Sequence, residues 1–307
     1  MRDIKAAADG LCDRHSPLPA AQEQLRLGEI FAKAGASPEG QELLRILEEK
    51  NVRIIFSRET DLACYNSRVV AIEGKYHPLP RTQQILLNPD QYTLSLSASL
   101  LHEARHIQQC LGGVFRPNKQ VSPFDLAWFI RTVEADAAAS AMMVAFRMKL
   151  NGDDALFAVD SANFYAGMHR AVDKQYAQDP TSLHDGRLKR TAFDAWFCEK
   201  LKFNYDDETI HQDWKNVCSI LDRHPYHGLQ KTPLTCEDVE KTGLVGGETV
   251  NYLTLPGFRR LDDPYYKSGF DRWQEKALEK LTAEWENTFQ PQQSGLANKP
   301  GALKLRP

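Results

Sequence analysis

Residues 102–106 read His-Glu-Ala-Arg-His. Two histidines four positions apart in an α-helix lie on one face, a turn apart, so their imidazoles can converge on a single ion. Glu103 sits beside them with its carboxylate free for acid–base work. With 9 His and 19 Glu in 307 residues, the pattern arises by chance in roughly 0.016 of chains of this composition. The bland alternative is a pair of surface histidines. A catalytic zinc takes three protein ligands and keeps a fourth position for water. Glu134, 28 positions after His106, is the candidate third ligand. It stands in the run Thr132-Val133-Glu134-Ala135-Asp136-Ala137-Ala138-Ala139-Ser140-Ala141, whose small side chains let a second helix lie close to the first. A carboxylate buried there is costly unless a cation meets it. Asp136, two positions on, is turned about 200° around the helix and cannot easily share that ion. Its expected role is to hold a histidine's other ring nitrogen or an arginine. The plain alternative for both carboxylates is pairing with Arg105 or Arg131.

These residues need a helix pair to hold them. Leu96, Leu100, Ala104, Ile107 and Leu111 make an apolar stripe, Gly112-Gly113 supplies a stop, and Ser95, Ser97 or Ser99 offers a cap. Helical patterning covers 96–111 and 124–149. Upstream, residues 17–50 read as helices, with Ser37-Pro38-Glu39 as a helix start. The period then changes, and 52–56, 63–65, 69–72 and 85–87 read as strands, the last closed by Asn88-Pro89. Beyond 150, segments near 155–178, 187–203, 207–223 and 270–289 read as helices. Trp196, Phe197, Trp214, Trp273 and Trp285 are expected in the core. The expected fold class is α+β: a small mixed sheet at about 52–88 packed on the HExxH helix pair, with a mostly helical C-terminal half. The expected divisions are an N-terminal helical segment (1–50), a core (51–150), a helical region (151–289) and a loose tail (290–307).

The HExxH helix followed by a glutamate in a later helix resembles the gluzincin class of zinc peptidases. More narrowly, His102-Glu103-Ala104-Arg105-His106 with Glu134-Ala135-Asp136-Ala137 is similar to the compact ImmA/IrrE-type metallopeptidases, and to an uncharacterised bacterial family of metallopeptidases. Ile85-Leu86-Leu87-Asn88-Pro89 stands where the former have a strand ending in Leu-Asn. Two departures are Asp136 in place of the usual Asn and the lack of a helix-turn-helix segment. The resemblance covers about residues 50–150. It implies one zinc per chain on His102, His106 and Glu134, with Glu103 as general base, and a protein or peptide as substrate. That agrees with the chemistry read directly: the ion acidifies a water and polarises a carbonyl, and Glu103 moves the proton. Strand 85–88 is expected to bind extended substrate by edge pairing. Tyr165, His169, His184, Tyr226, His227 and Tyr252 are candidate oxyanion donors. His227, in the turn Tyr226-His227-Gly228, is the first choice among them.

Composition narrows the alternatives. The chain is 42% hydrophobic and 26% charged, ordinary for a globular protein. A net charge of −3 argues against whole-protein attraction to nucleic acid or membrane. Six cysteines without a CxxC pair read as reduced thiols. The first residues lack an uninterrupted apolar core, and no run is long enough to span a bilayer, so the expected location is cytoplasmic. Gly243-Leu244-Val245-Gly246-Gly247 has no Lys-Ser/Thr after it and is not a phosphate loop. Two competing functions remain: a non-cleaving protein-binding module on a zincin fold, and a metal-dependent phosphohydrolase built on His184-Asp185 with His169. Oligomeric state is not indicated.

Overall fold

The computed structural model describes residues 17–60, 63–66, 69–72, 75–78, 83–114, 121–163, 165–200, 202–208, 210, 233–245 and 248–289. It is an α+β fold, mostly helical. Helices α1 (Ala20–Ala34) and α2 (Pro38–Glu49) lead into strands β1 (Arg53–Phe56), β2 (Ala63–Asn66), β3 (Val69–Ile72), β4 (Lys75–Pro78) and β5 (Gln84–Leu87). Then come the two long helices α3 (Thr93–Leu111) and α4 (Pro123–Leu150). They are followed by α5 (Ala155–Asn163), α6 (Ala166–Gln178), α7 (Arg187–Trp196), α8 (Lys202–Glu208), α9 (Cys236–Glu240), α10 (Pro264–Lys267) and α11 (Arg272–Phe289).

The main sheet has the order β1–β5–β2, with β5 parallel to β1 and antiparallel to β2. β3 and β4 form a separate antiparallel pair. This topology corrects one expectation. Strand 85–88 is not an edge: both sides of β5 are taken, Ile85 pairing with Ile54 on one side and Tyr65 on the other. Periodicity identifies a strand but not its rank in the sheet, which depends on pairings 30 residues away. β4 was also absent from the sequence reading, because Lys-Tyr-His-Pro has no apolar alternation.

α3 packs on α1, α2, α4 and the sheet. Leu96, Leu100, Ala104 and Ile107 are fully buried, whereas Leu111 at the helix end is 39% exposed. The helix begins earlier than its serines suggest. Tyr92 takes the N-cap position without a side-chain cap, and Ser97 inside the helix donates to the Thr93 carbonyl at 2.8 Å. α3 stops at Gly112. Gly113 adopts φ +71°, a left-handed turn that glycine makes without penalty. A Cβ on Gly112 would come within 2.7 Å of Val245 Cγ1, so this glycine also lets the 233–245 segment lie against the helix end.

α4 starts at Ser122, whose side chain accepts from the Asp125 amide, with Pro123 next. It is buried on nearly every side. Ala135, Ala137, Ala138 and Ala139 are covered completely or almost so, which is how α3 and α4 come close enough to share polar side chains. One apolar cluster runs from Leu27 on α1 to Tyr266 on α10, so elements far apart in sequence are packed on the same helix pair. Trp196 and Phe197 belong to that cluster, but Trp273 is 49% exposed on α11 and is no core residue. Trp214 lies outside the described residues, as does the side chain of Trp285. No helix among the described residues is long and apolar enough to cross a membrane.

Candidate metal centre

His102 and His106 sit one turn apart on the face of α3 that meets α4, and Glu134 comes from α4 opposite them. His102 Nε2 lies 3.0 Å from His106 Nε2 and 3.1 Å from Glu134 Oε2. His106 Nε2 is 3.4 Å from the same carboxylate oxygen. The two rings meet edge to face, the pose expected of residues i and i+4 turned toward one point. These three are the group among the described residues that could hold a metal ion.

The donor set fits such an ion on two counts. Ligand atoms bound tetrahedrally at about 2.0–2.1 Å are spaced about 3.3 Å apart, and the three separations found here bracket that value. The chemistry fits as well: two imidazoles and one carboxylate in a largely buried site leave the negative charge short of a partner. In the metal-free chain a proton serves. Burial opposes charge on His106, but the carboxylates of Glu134 and Glu103 outweigh it and raise its pKa to about 9. Burial likewise opposes ionisation of Glu134, yet the two histidines hold it well below the usual carboxylate range.

Asp136 faces away from this cluster. It holds Arg105 through two bonds, Nε to Oδ2 at 2.8 Å and an NH2 contact to Oδ1 at 3.1 Å. It also accepts from Tyr252 Oη at 2.6 Å and from Gln109 Nε2 at 2.8 Å. Burial alone would raise its pKa, but Arg105 and Lys189 hold it down at about 2. Arg105 continues the network to Gln108, to the Val245 carbonyl and to Glu248. Glu248 in turn accepts from Lys189 at 2.7 Å. Arg131 takes no part, being paired with Asp206.

Glu103 follows His102 on α3 and is 8% exposed. Its charge and that of Glu134 act on Tyr205, a residue of α8 that the sequence reading passed over. Burial first, and then Tyr165, Glu134 and Glu103, push the Tyr205 phenol well above its ordinary pKa, and it is hydrogen-bonded to Tyr165. Tyr205 therefore lies within electrostatic reach of both carboxylates. Tyr165 was among the candidates; nothing in the pattern around Tyr205 could have announced it.

The remaining candidates fall elsewhere. Tyr252 gives its hydroxyl to Asp136. His169 is buried against Phe157, ring centroids 4.0 Å apart. His184 is exposed, and Asp185 accepts from the Arg187 amide at the start of α7, a capping contact. Tyr226 and His227 lie outside the described residues. Cys110 is buried.

An α+β fold whose longest helices carry a convergent His-His-Glu cluster defines a candidate metalloprotein. Residues 5–219, more than half of the chain, match the family described as "Putative metallopeptidase family (DUF6782)". The chain belongs to that family. That description is of metallopeptidases, peptide-bond hydrolases that work with a metal. No curated protein and no solved structure matches it.

Proposed function

We propose that this chain is a zinc-dependent metallopeptidase in which His102, His106 and Glu134 hold the ion and Glu103 is the general base. The observation that carries this reading is the mutual spacing of the three donor atoms, 3.0, 3.1 and 3.4 Å. The chemistry a zinc ion supplies in such a site is Lewis acidity: a polarised scissile carbonyl and a more acidic water.

Glu103 takes the proton of the attacking water at its carboxylate and passes a proton to the departing amine. It is suited to both because it adjoins the two histidines on α3 without being one of the three donors that converge on the ion. Tyr205, with Tyr165 behind it, donates its hydroxyl to the oxygen that gains charge as the carbonyl is attacked. It takes the role sequence reasoning offered first to His227. An extended peptide runs along β2, the outer strand of the sheet next to α3, where backbone N–H and C=O groups face away from β5. A protein or peptide fits such an edge.

The test uses the untagged full chain. Zinc is quantified by mass spectrometry in the parent and in Glu103→Gln, and both are assayed on unfolded protein substrates. Zinc near one per chain in both proteins, with cleavage only by the parent, is the expected result. A Glu103→Gln variant that cleaves as fast as the parent overturns the mechanism. Zinc retention without cleavage by the parent moves the reading to a non-cleaving binding module.

A further inference from the structure

Gln109 lies one turn beyond His106 on α3, fully buried, and its amide is committed on both sides. Its Nε2 donates to the Val133 carbonyl at 2.9 Å and to Asp136 Oδ2 at 2.8 Å. Its Oε1 stands 2.7 Å from His106 Nδ1. The amide cannot be turned over. A backbone carbonyl only accepts, and Asp136, gripped by Arg105 and by the Tyr252 hydroxyl, presents a carboxylate that only accepts. Reversal would set the Gln109 carbonyl against two acceptors in a buried site, with no hydrogen between it and either of them. Oε1 therefore faces His106, and an acceptor there requires a hydrogen on Nδ1. Nε2, the nitrogen 3.0 Å from His102 Nε2 and 3.4 Å from Glu134 Oε2, is then the one that faces the cluster and would give up its proton to an ion bound there.

We propose that Gln109 is a positioning residue that fixes His106 as the Nδ1–H form able to ligate through Nε2, and that Asp136, locked by Arg105 and Tyr252, fixes Gln109. The inference rests on the reading of His102, His106 and Glu134 as a ligand set. It adds a consequence for the chain as a whole. Val245, Glu248 and Tyr252 all lie beyond residue 219, where the family match ends, yet all three bind Arg105 or Asp136. The segment after the match thus sets the metal site from behind, through four side chains in series: Tyr252, Asp136, Gln109 and His106.

Two variants of the full chain test this. Gln109→Met fills the same space without accepting from His106, and Tyr252→Phe removes one hydroxyl from Asp136 while leaving Gln109 in place. Zinc affinity is measured by competition with a chromophoric chelator, and the imidazole N–H signals of the zinc-loaded proteins by ¹H–¹⁵N NMR. In the parent, His106 shows a slowly exchanging Nδ1–H. Gln109→Met weakens zinc binding roughly 10–100-fold and loses that signal to solvent exchange. Tyr252→Phe weakens binding by a smaller factor, below about 10-fold, and shifts the same signal. A purely structural role would lower the melting temperature of the metal-free protein while leaving the affinity and the Nδ1–H signal of the folded, zinc-loaded protein as in the parent; that result overturns the proposal. If Gln109→Met does not fold, Tyr252→Phe decides by the same two readouts. A parent that takes up no zinc overturns the ligand set itself and this inference with it, whereas a zinc-binding parent with unchanged variants overturns the inference alone.

Discussion

Arg131 and Glu134 lie about a turn apart on helix α4, and their charges are finished differently. At Arg131 the charge is closed. Its guanidinium is bidentate on Asp206 at 2.6 and 2.7 Å, gives another hydrogen to the Ser268 carbonyl at 2.8 Å, and lies 3.6 Å over the ring of Phe270. At Glu134 no guanidinium or ammonium arrives among the described residues. The carboxylate meets two imidazole nitrogens that are themselves 3.0 Å apart, so three donor atoms converge, and in the metal-free chain a proton on His106 supplies the countercharge. The first arrangement ties α4 to α8 and needs nothing more. The second is balanced only when a cation is added. Burial and ion pairing alone therefore do not separate a structural charge from a functional one; what separates them is whether the partner set supplies its own countercharge.

Glu134→Gln breaks the open cluster and is expected to have the largest functional effect. Zinc affinity should fall by more than the 10–100-fold typical of an outer partner, and proteolysis with it, while the folded chain keeps its far-UV signature. Zinc titration and a cleavage assay check this, and a variant that still holds zinc at the parent's affinity removes Glu134 from the ligand set. Arg131→Met breaks the closed pair instead. It leaves the Asp206 carboxylate buried without its partner, at a cost of about 3–5 kcal/mol, read from urea denaturation. The molecules that remain folded should bind zinc as the parent does. If the two variants exchanged these signatures, the distinction between the regions would be wrong.

The legible part of this arrangement was the part written in local spacing. His102, Glu103 and His106 are set by helical geometry within five residues, and Glu134 stood out because a charge in an alanine-rich helix is expensive without a partner. The α3 stop at Gly112-Gly113 and the α2 start at Ser37-Pro38 follow from backbone preference in the same way. What could not be read depends on distance along the chain. Asp206 is 75 residues from Arg131, and Tyr252 is 116 from Asp136. β5 became a central strand because β1 and β2 both came to it, a fact of topology that its four residues do not carry. Tyr205 comes within electrostatic reach of Glu134 and Glu103 only because α8 returns to α4. The serines near the start of α3 misled for a physical reason: inside a helix a serine hydroxyl can bond back to the carbonyl four residues earlier, as Ser97 does, instead of capping.

Tyr205→Phe sharpens the comparison at the proposed oxyanion donor. The ring stays packed against Trp196, 5.9 Å between centroids, so stability and zinc content should hold. Loss of the hydroxyl should lower kcat by about 10²–10³, the cost of one oxyanion donor, with KM little changed. A variant with full kcat would leave Tyr205 as packing only and return the donor role to the residues not yet excluded, His227 among them.

The smallest expected effect concerns a half-buried carboxylate, which tests whether closure can be judged from partners alone. Asp194 on α7 accepts from Arg190 Nε at 2.9 Å and from the Tyr266 hydroxyl at 2.7 Å, a set that resembles the closed pair at Arg131. Burial nevertheless outweighs Arg190, Tyr266 and Arg259, and the Asp194 pKa is raised; Tyr265 also faces it. A raised carboxylate pKa means that the folded chain binds this proton more tightly than the unfolded chain. Its contribution is then fully present below the unfolded value, near 3.9, and is lost as pH rises through the folded one. Asp194→Asn still accepts at Oδ1 but has nothing to titrate. The stability difference between parent and Asp194→Asn, from urea curves at successive pH values, should therefore shift against the parent as pH rises above about 4; differencing cancels the other carboxylates. A difference that moves in the parent's favour over that window would mean that Arg190 wins over burial, and that Asp194 is closed in the same sense as Asp206.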